Sequence, residues 1–228
     1  MKCFVRCCTC SGAVANGACF PKSFPSGAPC IRTSPSGVSR AKAAACWSRR
    51  LKNQVGVARE KQGRNACSTL LIVDAQSVKN TDTAALKGYD AGKKVSGIKR
   101  HVAVDTQGLP HAVAVTTAEV TDRKGALQTL RRCKSGLNRV QSLLADSGYV
   151  GQPFAQGVRE ILAEPVTVQI AKRSELHTFK VMPKRWIVER SFAWLEKNRR
   201  LWKNCERLLN TSLQFVHLAF LCLLLKRL

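Results

Sequence analysis

The chain has 228 residues, and its 38 Lys and Arg against 14 Asp and Glu give a formal net charge of +24. This excess favours a polyanionic partner such as nucleic acid, although a basic protein without such a site, or a ribosomal one, has the same composition. A membrane protein is excluded, since the longest apolar run, Phe215 to Leu225, is shorter than the roughly 20 residues of a spanning helix. No signal peptide is predicted either, because no apolar core follows Lys2 and Arg6, and we expect a cytoplasmic protein.

The composition changes near residue 52. Residues 1–50 hold seven of the 11 cysteines, many Ser, Gly and Pro, and no acidic residue before Glu60. A zinc module is weakly supported, since the segment lacks His and CFVRCCTC does not provide two spaced CxxC pairs. A disulfide scaffold conflicts with the odd number of cysteines and the expected compartment. We therefore predict a basic, Cys-rich, disordered segment over residues 1–52 and a folded domain over residues 53–228.

From residue 53 onward the hydrophobic patterns predict strands followed by alternating helices and strands. STLLIVD reads as a strand, and Lys99–Asp105 with His111–Thr117 form a hairpin around TQGLP. The later elements, in chain order, are a helix Asp122–Lys134 with Asp122 as N-cap, a strand Arg139–Asp146, a helix Gln152–Ala163, a strand Pro165–Ala171, a helix from about Lys184 to Arg200, and a last helix from about Asn210. This order predicts an α/β, ribonuclease-H-like mixed sheet with flanking helices.

Three acidic residues stand out. Asp74 and Asp146 each close an apolar strand, and Glu189 lies early in the helix whose buried stripe is Val188, Phe192 and Leu195. Carboxylates gathered in one site stay ionised when cations balance them, and oxygen ligands suit Mg²⁺ or Mn²⁺. Two such ions would activate a water or a 3′-hydroxyl and stabilise the leaving oxygen of a phosphodiester.

Each acid also has a purely structural interpretation. Aspartates at strand ends often cap turns, and a pair such as Arg185 and Glu189, four residues apart, is usually a solvated surface pair. Asp105 and Asp122 also end or follow strands. Spacing therefore leaves open whether Asp105 belongs to the site.

Four motifs carry a resemblance to a known family: IVDAQSVKNT, GYDAGKKVSGIKRHVAVDTQG, ADSGYVG and PKRWIVERSFAWLEKNRRL, in that order. From about Gln54 to Leu228 the chain resembles the catalytic part of bacterial insertion-sequence transposases of the DDE type, in the IS-four/IS-five superfamily. The resemblance implies catalytic and metal-binding roles for Asp74, Asp146 and Glu189, with two Mg²⁺ or Mn²⁺ ions. It also implies cleavage at the element's terminal inverted repeats, strand transfer into target DNA, and a homo-oligomer that bridges two ends.

The resemblance also suggests DNA contacts. Arg185 stands where the family has an arginine four residues before the glutamate, which we expect on a DNA phosphate. The superfamily also has a tyrosine before that arginine and a lysine about seven residues after the glutamate, where this chain has Met182 and Glu196, with Lys197 one further on. Basic residues in the loop and strand after Asp74 are candidates for contact with the DNA backbone, namely Lys93, Lys94, Lys99 and Arg100. Such basic residues can also be merely solvated.

Residues 1–50 do not resemble the helical DNA-binding region that precedes the catalytic domain in relatives. A shifted-frame back-translation of Val14 to Pro21 can yield Cys-Gln-Trp-Arg-Met-Leu-Pro, a phrase similar to one in the family. This predicts a change of frame near Leu51-Lys52-Asn53, which genomic DNA translated in three frames would reveal. The chain would then be an inactive remnant, one product of a two-frame element, or a non-catalytic DNA-binding regulator. A nuclease acting on RNA–DNA hybrids is a further alternative.

Overall fold

The computed structural model describes residues 40–162, 165–171, 184 and 186–226, with backbone alone for residues 40–47 and 171. The elements in chain order are α1 (Arg40–Glu60), β1 (Leu70–Lys79), β2 (Gly88–Asp90), β3 (Val95–Val104), β4 (Pro110–Thr117), α2 (Asp122–Cys133), β5 (Ser142–Asp146), α3 (Gln152–Leu162), β6 (Thr167–Ala171), α4 (Trp186–Glu196) and α5 (Leu209–Leu225). Short 3₁₀ turns follow α2, β5 and α4.

The strands form one mixed sheet. β1 pairs antiparallel with β3 and parallel with β5, and β5 continues parallel to β6. β4 pairs with β3 on the edge opposite β1, and the short β2 pairs with the start of β3. The two parallel pairings follow from the helical crossovers α2 and α3, which return the chain to the same end of the sheet. The predicted α/β, ribonuclease-H-like mixed sheet with flanking helices is confirmed.

Each face of the sheet is covered by a hydrophobic core. Ile72 and Val78 of β1 belong to the core beneath α1, α4 and α5, whereas Leu71 and Val73 belong to the core beneath α2 and α3. Because side chains alternate along a strand, Asp74 lies on the face that α4 and α5 cover. The central strands are therefore enclosed on both sides.

Several predicted boundaries differ from the structure. β1 does not end at Asp74 but continues to Lys79, because Ala75–Lys79 keep pairing with Gly97–His101 of β3. The N-cap of α2 is Thr121, whose side chain accepts a hydrogen bond from the Lys124 N–H at 3.4 Å; Asp122 is the first helical residue.

The long helix predicted to reach Arg200 ends at Glu196, and Arg199–Leu201 form a separate 3₁₀ turn. The Asn198 amide donates to the carbonyls of Trp194 and Leu195, at 3.0 and 3.2 Å. These bonds satisfy two terminal carbonyls of α4 and so end the helix there.

The domain boundary predicted near residue 52 falls inside α1. Leu51 and Val55 of this helix are both buried in the core beneath α1, α4 and α5. Residues 1–39, with all the N-terminal cysteines except Cys46, lie outside the described residues, so the change of frame stays a prediction. No helix in the described part of the chain has the length and hydropathy of a membrane span.

Candidate active site

Asp74 and Asp146 lie side by side on neighbouring strands. The parallel register of β1 and β5 pairs Val73 with Ala145, so the next residue of each strand is the aspartate. Both carboxylates are half-buried and line one narrow cleft, whose apolar wall includes Val188 of α4. Two residues that are 72 positions apart in the sequence are thus brought together by one strand pairing.

Each aspartate is oriented by the residue that follows it. Asp74 Oδ1 accepts a hydrogen bond from the Ala75 N–H at 2.7 Å. Asp146 Oδ1 accepts one from the Ser147 N–H at 2.5 Å and one from the Ser147 hydroxyl at 3.1 Å. Hydrogen bonds to a carboxylate fix its rotation, so these local contacts hold the two side chains in defined orientations.

Glu189 lies in the first turn of the helix that covers this face of the sheet. It follows Val188, the residue of α4 that lines the cleft, and its own side chain is exposed. Farther along α4, Glu196 accepts a hydrogen bond from the Gln76 amide of β1 at 2.7 Å. Residues seven apart lie on the same side of a helix, so Glu189 and Glu196 both lie on the side of α4 toward β1.

The acidic residues fit a hard divalent cation only in part. Asp74 and Asp146 supply the oxygen ligands that Mg²⁺ and Mn²⁺ prefer. Within the part of the chain that the structure describes, however, no three His, Cys, Asp or Glu side chains are close enough together to hold a metal ion. The structure therefore pairs two of the three predicted ligands and places Glu189 on the adjoining helix.

Tyr149 is a neighbour of the acidic pair that the sequence analysis did not identify. It is fully buried, its ring centroid lies 5.2 Å from that of Phe154, and its hydroxyl has no hydrogen-bond partner among the described residues. Burial raises the pKa of Tyr149 well above its usual 10, and the negative charges of Asp74, Asp122 and Asp146 raise the pKa further. The hydroxyl is thus neutral and lies within the electrostatic influence of the acidic pair, although Tyr149 does not line the cleft; its position in the ADSGYVG motif was the available signal.

The predicted DNA contacts divide into exposed and buried groups. Lys93, Lys94 and Lys197 are exposed. Lys93 Nζ donates to the carbonyl of Ala75 at 3.0 Å, which places this cation beside Asp74. Arg185 lies outside the described residues.

Lys99 and Arg100, two of the predicted DNA contacts, are both buried within the protein. Lys99 Nζ lies 2.8 Å from an oxygen of Asp122 and 3.1 Å from an oxygen of Asp90. Burial opposes ionisation of Asp90, but hydrogen bonds from Ser77 and Lys99 lower its pKa to about 2. The physical reason for the burial is that β3 is a central strand with both faces covered.

Arg100 points to the opposite face from Lys99. Its Nη2 donates to the carbonyl of Leu201 at 2.7 Å. Burial lowers the pKa of Arg100 to about 10, although the negative charge of Glu196 acts in the other direction. The guanidinium therefore stays charged at neutral pH and is committed to a contact inside the protein.

Asp105, which spacing left open, lies apart from the acidic pair. It is fully buried, pairs with Arg59 of α1, and lies 3.4 Å from the His111 ring. Its Oδ1 accepts hydrogen bonds from the Gln107 and Leu109 N–H groups, at 2.8 and 3.0 Å. Burial alone would raise the pKa of Asp105, but the hydrogen bonds from His111 and the backbone lower it below 3.8. Asp105 thus anchors α1 to the β3–β4 turn.

An aromatic pair on α4 was also missed. The Arg190 guanidinium lies 4.6 Å from the ring centroid of Trp186 and 4.9 Å from that of Trp194. Arg190 Nη2 also donates to the carbonyl of Gln107 at 3.1 Å. The spacing of four residues between these side chains was the signal, and the arrangement joins α4 to the β3–β4 turn.

Comparison with known proteins gives the family. Residues 65–225, more than half of the chain, match the model described as "Transposase DDE domain". A Burkholderia cepacia protein named as a transposase for insertion sequence element IS402 is 35% identical over 118 residues, which cover 49% of this chain and 54% of that protein. A Brucella ovis protein named as a transposase for IS6501 is 29% identical over 124 residues, 53% of this chain and 92% of that protein. The chain thus spans about half the length of the Burkholderia relative.

Two solved structures show more distant likeness. A chain of the simian T-cell lymphotropic virus intasome in complex with PP2A regulatory subunit B56 gamma has a TM-score of 0.45 and 16% identity, covering 68% of this chain and 47% of that one. A chain of the Mos1 mariner paired end complex with Mn has a TM-score of 0.30 and 11% identity, covering 95% and 65%. On the family match and the two bacterial relatives, the chain belongs to the DDE transposases of insertion sequences.

Proposed function

We propose that this chain cleaves DNA strands at the ends of an insertion sequence and transfers the freed 3′ ends into target DNA. The observation that carries the proposal is the juxtaposition of Asp74 and Asp146 in one cleft, beneath the helix that bears Glu189. The net charge of +24 supports a DNA partner, since phosphate neutralisation supplies much of nucleic-acid affinity.

Asp74, Asp146 and Glu189 are the residues that would hold Mg²⁺ or Mn²⁺, with two ions expected. When bound, these ions would supply Lewis-acid activation of the attacking oxygen and stabilisation of the leaving oxygen. The protein would contribute in two ways. The backbone N–H groups of Ala75 and Ser147 would orient the two aspartates, and the apolar wall of the cleft would exclude water.

Basic residues around the cleft would position the DNA. Lys93, beside Asp74, is placed to contact a phosphate next to the reacting one, and Lys94, Lys197 and Arg185 would extend the contact. In this proposal the chain acts in the cytoplasm on the terminal inverted repeats and on target DNA, as an assembly of two or more copies that bridges two element ends.

The test is strand cleavage of a duplex that carries the inverted repeats flanking the gene, with Mg²⁺, with Mn²⁺ and with EDTA. We expect metal-dependent nicking by the wild type, loss of nicking in Asp74→Asn, and full activity in Glu160→Gln, a matched variant of an exposed carboxylate on α3. DNA binding without metal-dependent nicking would instead support the non-catalytic regulator. Cutting of RNA–DNA hybrids regardless of end sequence would support the nuclease.

A further inference from the structure

The loop between α4 and α5, residues 197–208, presents the most exposed large hydrophobic side chain of the described residues. Trp202 is 69% exposed, and Lys203 Nζ lies 5.2 Å from the centroid of its ring. Tryptophan is enriched at binding surfaces, where its large ring supplies contact area and stacking. We name this feature the 197–208 loop.

The 197–208 loop is fixed to the end of β1 by a buried asparagine. The Asn204 N–H donates to the carbonyl of Lys79, and its carbonyl accepts from the Thr81 N–H, both at 2.9 Å. The Asn204 side chain donates to Asn80 at 2.9 Å and accepts from the Ser212 hydroxyl at 2.5 Å. These four hydrogen bonds hold the loop at Asn204, two residues after Trp202, against the end of β1.

A buried arginine supports the same loop from inside. Arg100 donates to the carbonyl of Leu201, the residue before Trp202, while its Nε and Nη1 have no hydrogen-bond partner among the described residues. Burying an incompletely paired guanidinium costs free energy. The hydrogen bond to Leu201 therefore fixes the backbone directly before the exposed tryptophan.

The charge around Trp202 is mostly positive. Exposed basic residues of the loop and of the adjoining end of β1 are Lys79, Lys197, Arg199, Arg200, Lys203 and Arg207. The acidic residues nearby in the chain are Glu206, which is paired with Arg200 at 2.8 Å, and the exposed Asp82 and Glu196. The net balance favours a polyanion.

The position of the loop relates it to the acidic pair. Lys79, which bonds to Asn204, lies five residues beyond Asp74 on β1, or about 17 Å at the rise of a strand. A strand of a stacked duplex covers that distance in about five nucleotides. The backbone that holds the 197–208 loop is therefore within the length of a short DNA strand from the acidic pair.

We propose that Trp202 and Lys203 bind a DNA strand with unpaired bases, Trp202 by stacking on one base and Lys203 by contacting an adjacent phosphate. In a duplex the bases already stack on one another, so an exposed indole face can stack only on a base that is unpaired. The assignment of DNA as the ligand rests on the proposed function; the surface itself rests on the geometry of the loop.

The test measures binding of short fluorescein-labelled oligonucleotides by anisotropy, in EDTA, so that no cleavage occurs. Trp202→Ala is expected to weaken binding of single-stranded DNA by about 5- to 100-fold, with a smaller effect on duplex DNA, and Trp202→Phe to retain most of the affinity. Lys203→Ala should reduce the slope of log affinity against log salt by about 0.7 for the single strand. The matched control is Arg139→Ala, an exposed cation that precedes β5 at the opposite end of the sheet, and it should leave single-strand affinity unchanged.

Unchanged single-strand affinity in Trp202→Ala would overturn this proposal, as would an equal loss for single-stranded and duplex DNA. Light scattering tests whether Trp202 instead binds a second copy of the chain. If Trp202→Ala dissociates an oligomer that the wild type forms, and DNA affinity stays intact, Trp202 lies in a protein–protein surface and the proposal is overturned. Because Trp202 is exposed, the thermal unfolding temperature should be unchanged in Trp202→Ala and in Trp202→Phe. The proposed function fails separately, on nicking that survives Asp74→Asn.

Discussion

Asp74 and Asp105 both follow apolar, β-type sequence, yet the sheet gives them opposite surroundings. Asp74 is half-buried and shares a cleft with a second carboxylate, Asp146. Asp105 is fully buried and is compensated by Arg59, His111 and two backbone N–H groups. The difference lies in the elements that pack against each aspartate in the folded protein.

The contrast separates a ligand-binding acid from a structural one. A buried carboxylate with a complete set of partners holds elements together, and removing it leaves those partners uncompensated. Under the proposed function, Asp74 and Asp146 instead share a cleft in order to hold a cation, and their main contribution is to activity. Four measurements test this distinction.

The largest expected effect is on the activity of Asp146→Asn. We expect strand cleavage to fall by about a thousandfold or more, because several kcal/mol of transition-state stabilisation depend on the bound cations. The free energy of unfolding should change little, since the asparagine oxygen can still accept the Ser147 N–H. Nicking rates and urea unfolding of the same preparation check both parts; a variant that loses stability and activity together would place Asp146 with the structural acids.

Asp105→Asn should behave in the opposite way. We expect a loss of about 3–5 kcal/mol in the free energy of unfolding, because Arg59 is left as an uncompensated buried charge. Glu160→Gln, on the exposed face of α3, is the control and should stay within about 0.5 kcal/mol of the wild type. Urea unfolding measures both, and a change below about 1 kcal/mol in Asp105→Asn would show that the Arg59 pair does not anchor α1.

The pH dependence of stability should distinguish Asp105 as well. Its pKa is lowered below 3.8 in the folded state, so the unfolded chain takes up the proton first as the pH falls. Its stabilising contribution is thus complete above pH 3.8 and is lost as the pH falls through the folded-state value. The stability difference between wild type and Asp105→Asn should stay constant from pH 7 to about 5 and shrink below about 4. A difference that stays constant down to acid unfolding would contradict the lowered pKa.

The smallest expected effect on stability is that of Tyr149→Phe. The hydroxyl is buried without a partner in the described part of the chain, so its removal should leave the free energy of unfolding unchanged or raise it by up to about 1 kcal/mol. Because the hydroxyl is buried and Tyr149 does not line the cleft, strand cleavage should be unchanged in this variant. Destabilisation by more than about 1 kcal/mol would mean that the hydroxyl is paired within the protein.

From Ser68 onward the sequence predicted the order of strands and helices except for the short β2, together with the family and the acidic motifs, but it did not predict α1. These depend on local properties: alternation along β1 and β3, helical periodicity in α4, and residue types at fixed positions in ADSGYVG and WIVER. The pairing of Asp74 with Asp146 followed from the family resemblance and is supported by the parallel register of β1 and β5.

Only the tertiary structure decided which charged residues are accessible. Lys99 and Arg100 open a predicted strand and look like accessible cations in the sequence, but β3 is a central strand with helices on both faces, so Lys99 is enclosed beside Asp122 and Arg100 beneath Leu201. The same holds for Asp105, whose partner Arg59 comes from a helix 46 residues earlier. Burial and countercharge depend on the elements that pack against a residue, and a local sequence pattern contains no information about those distant neighbours.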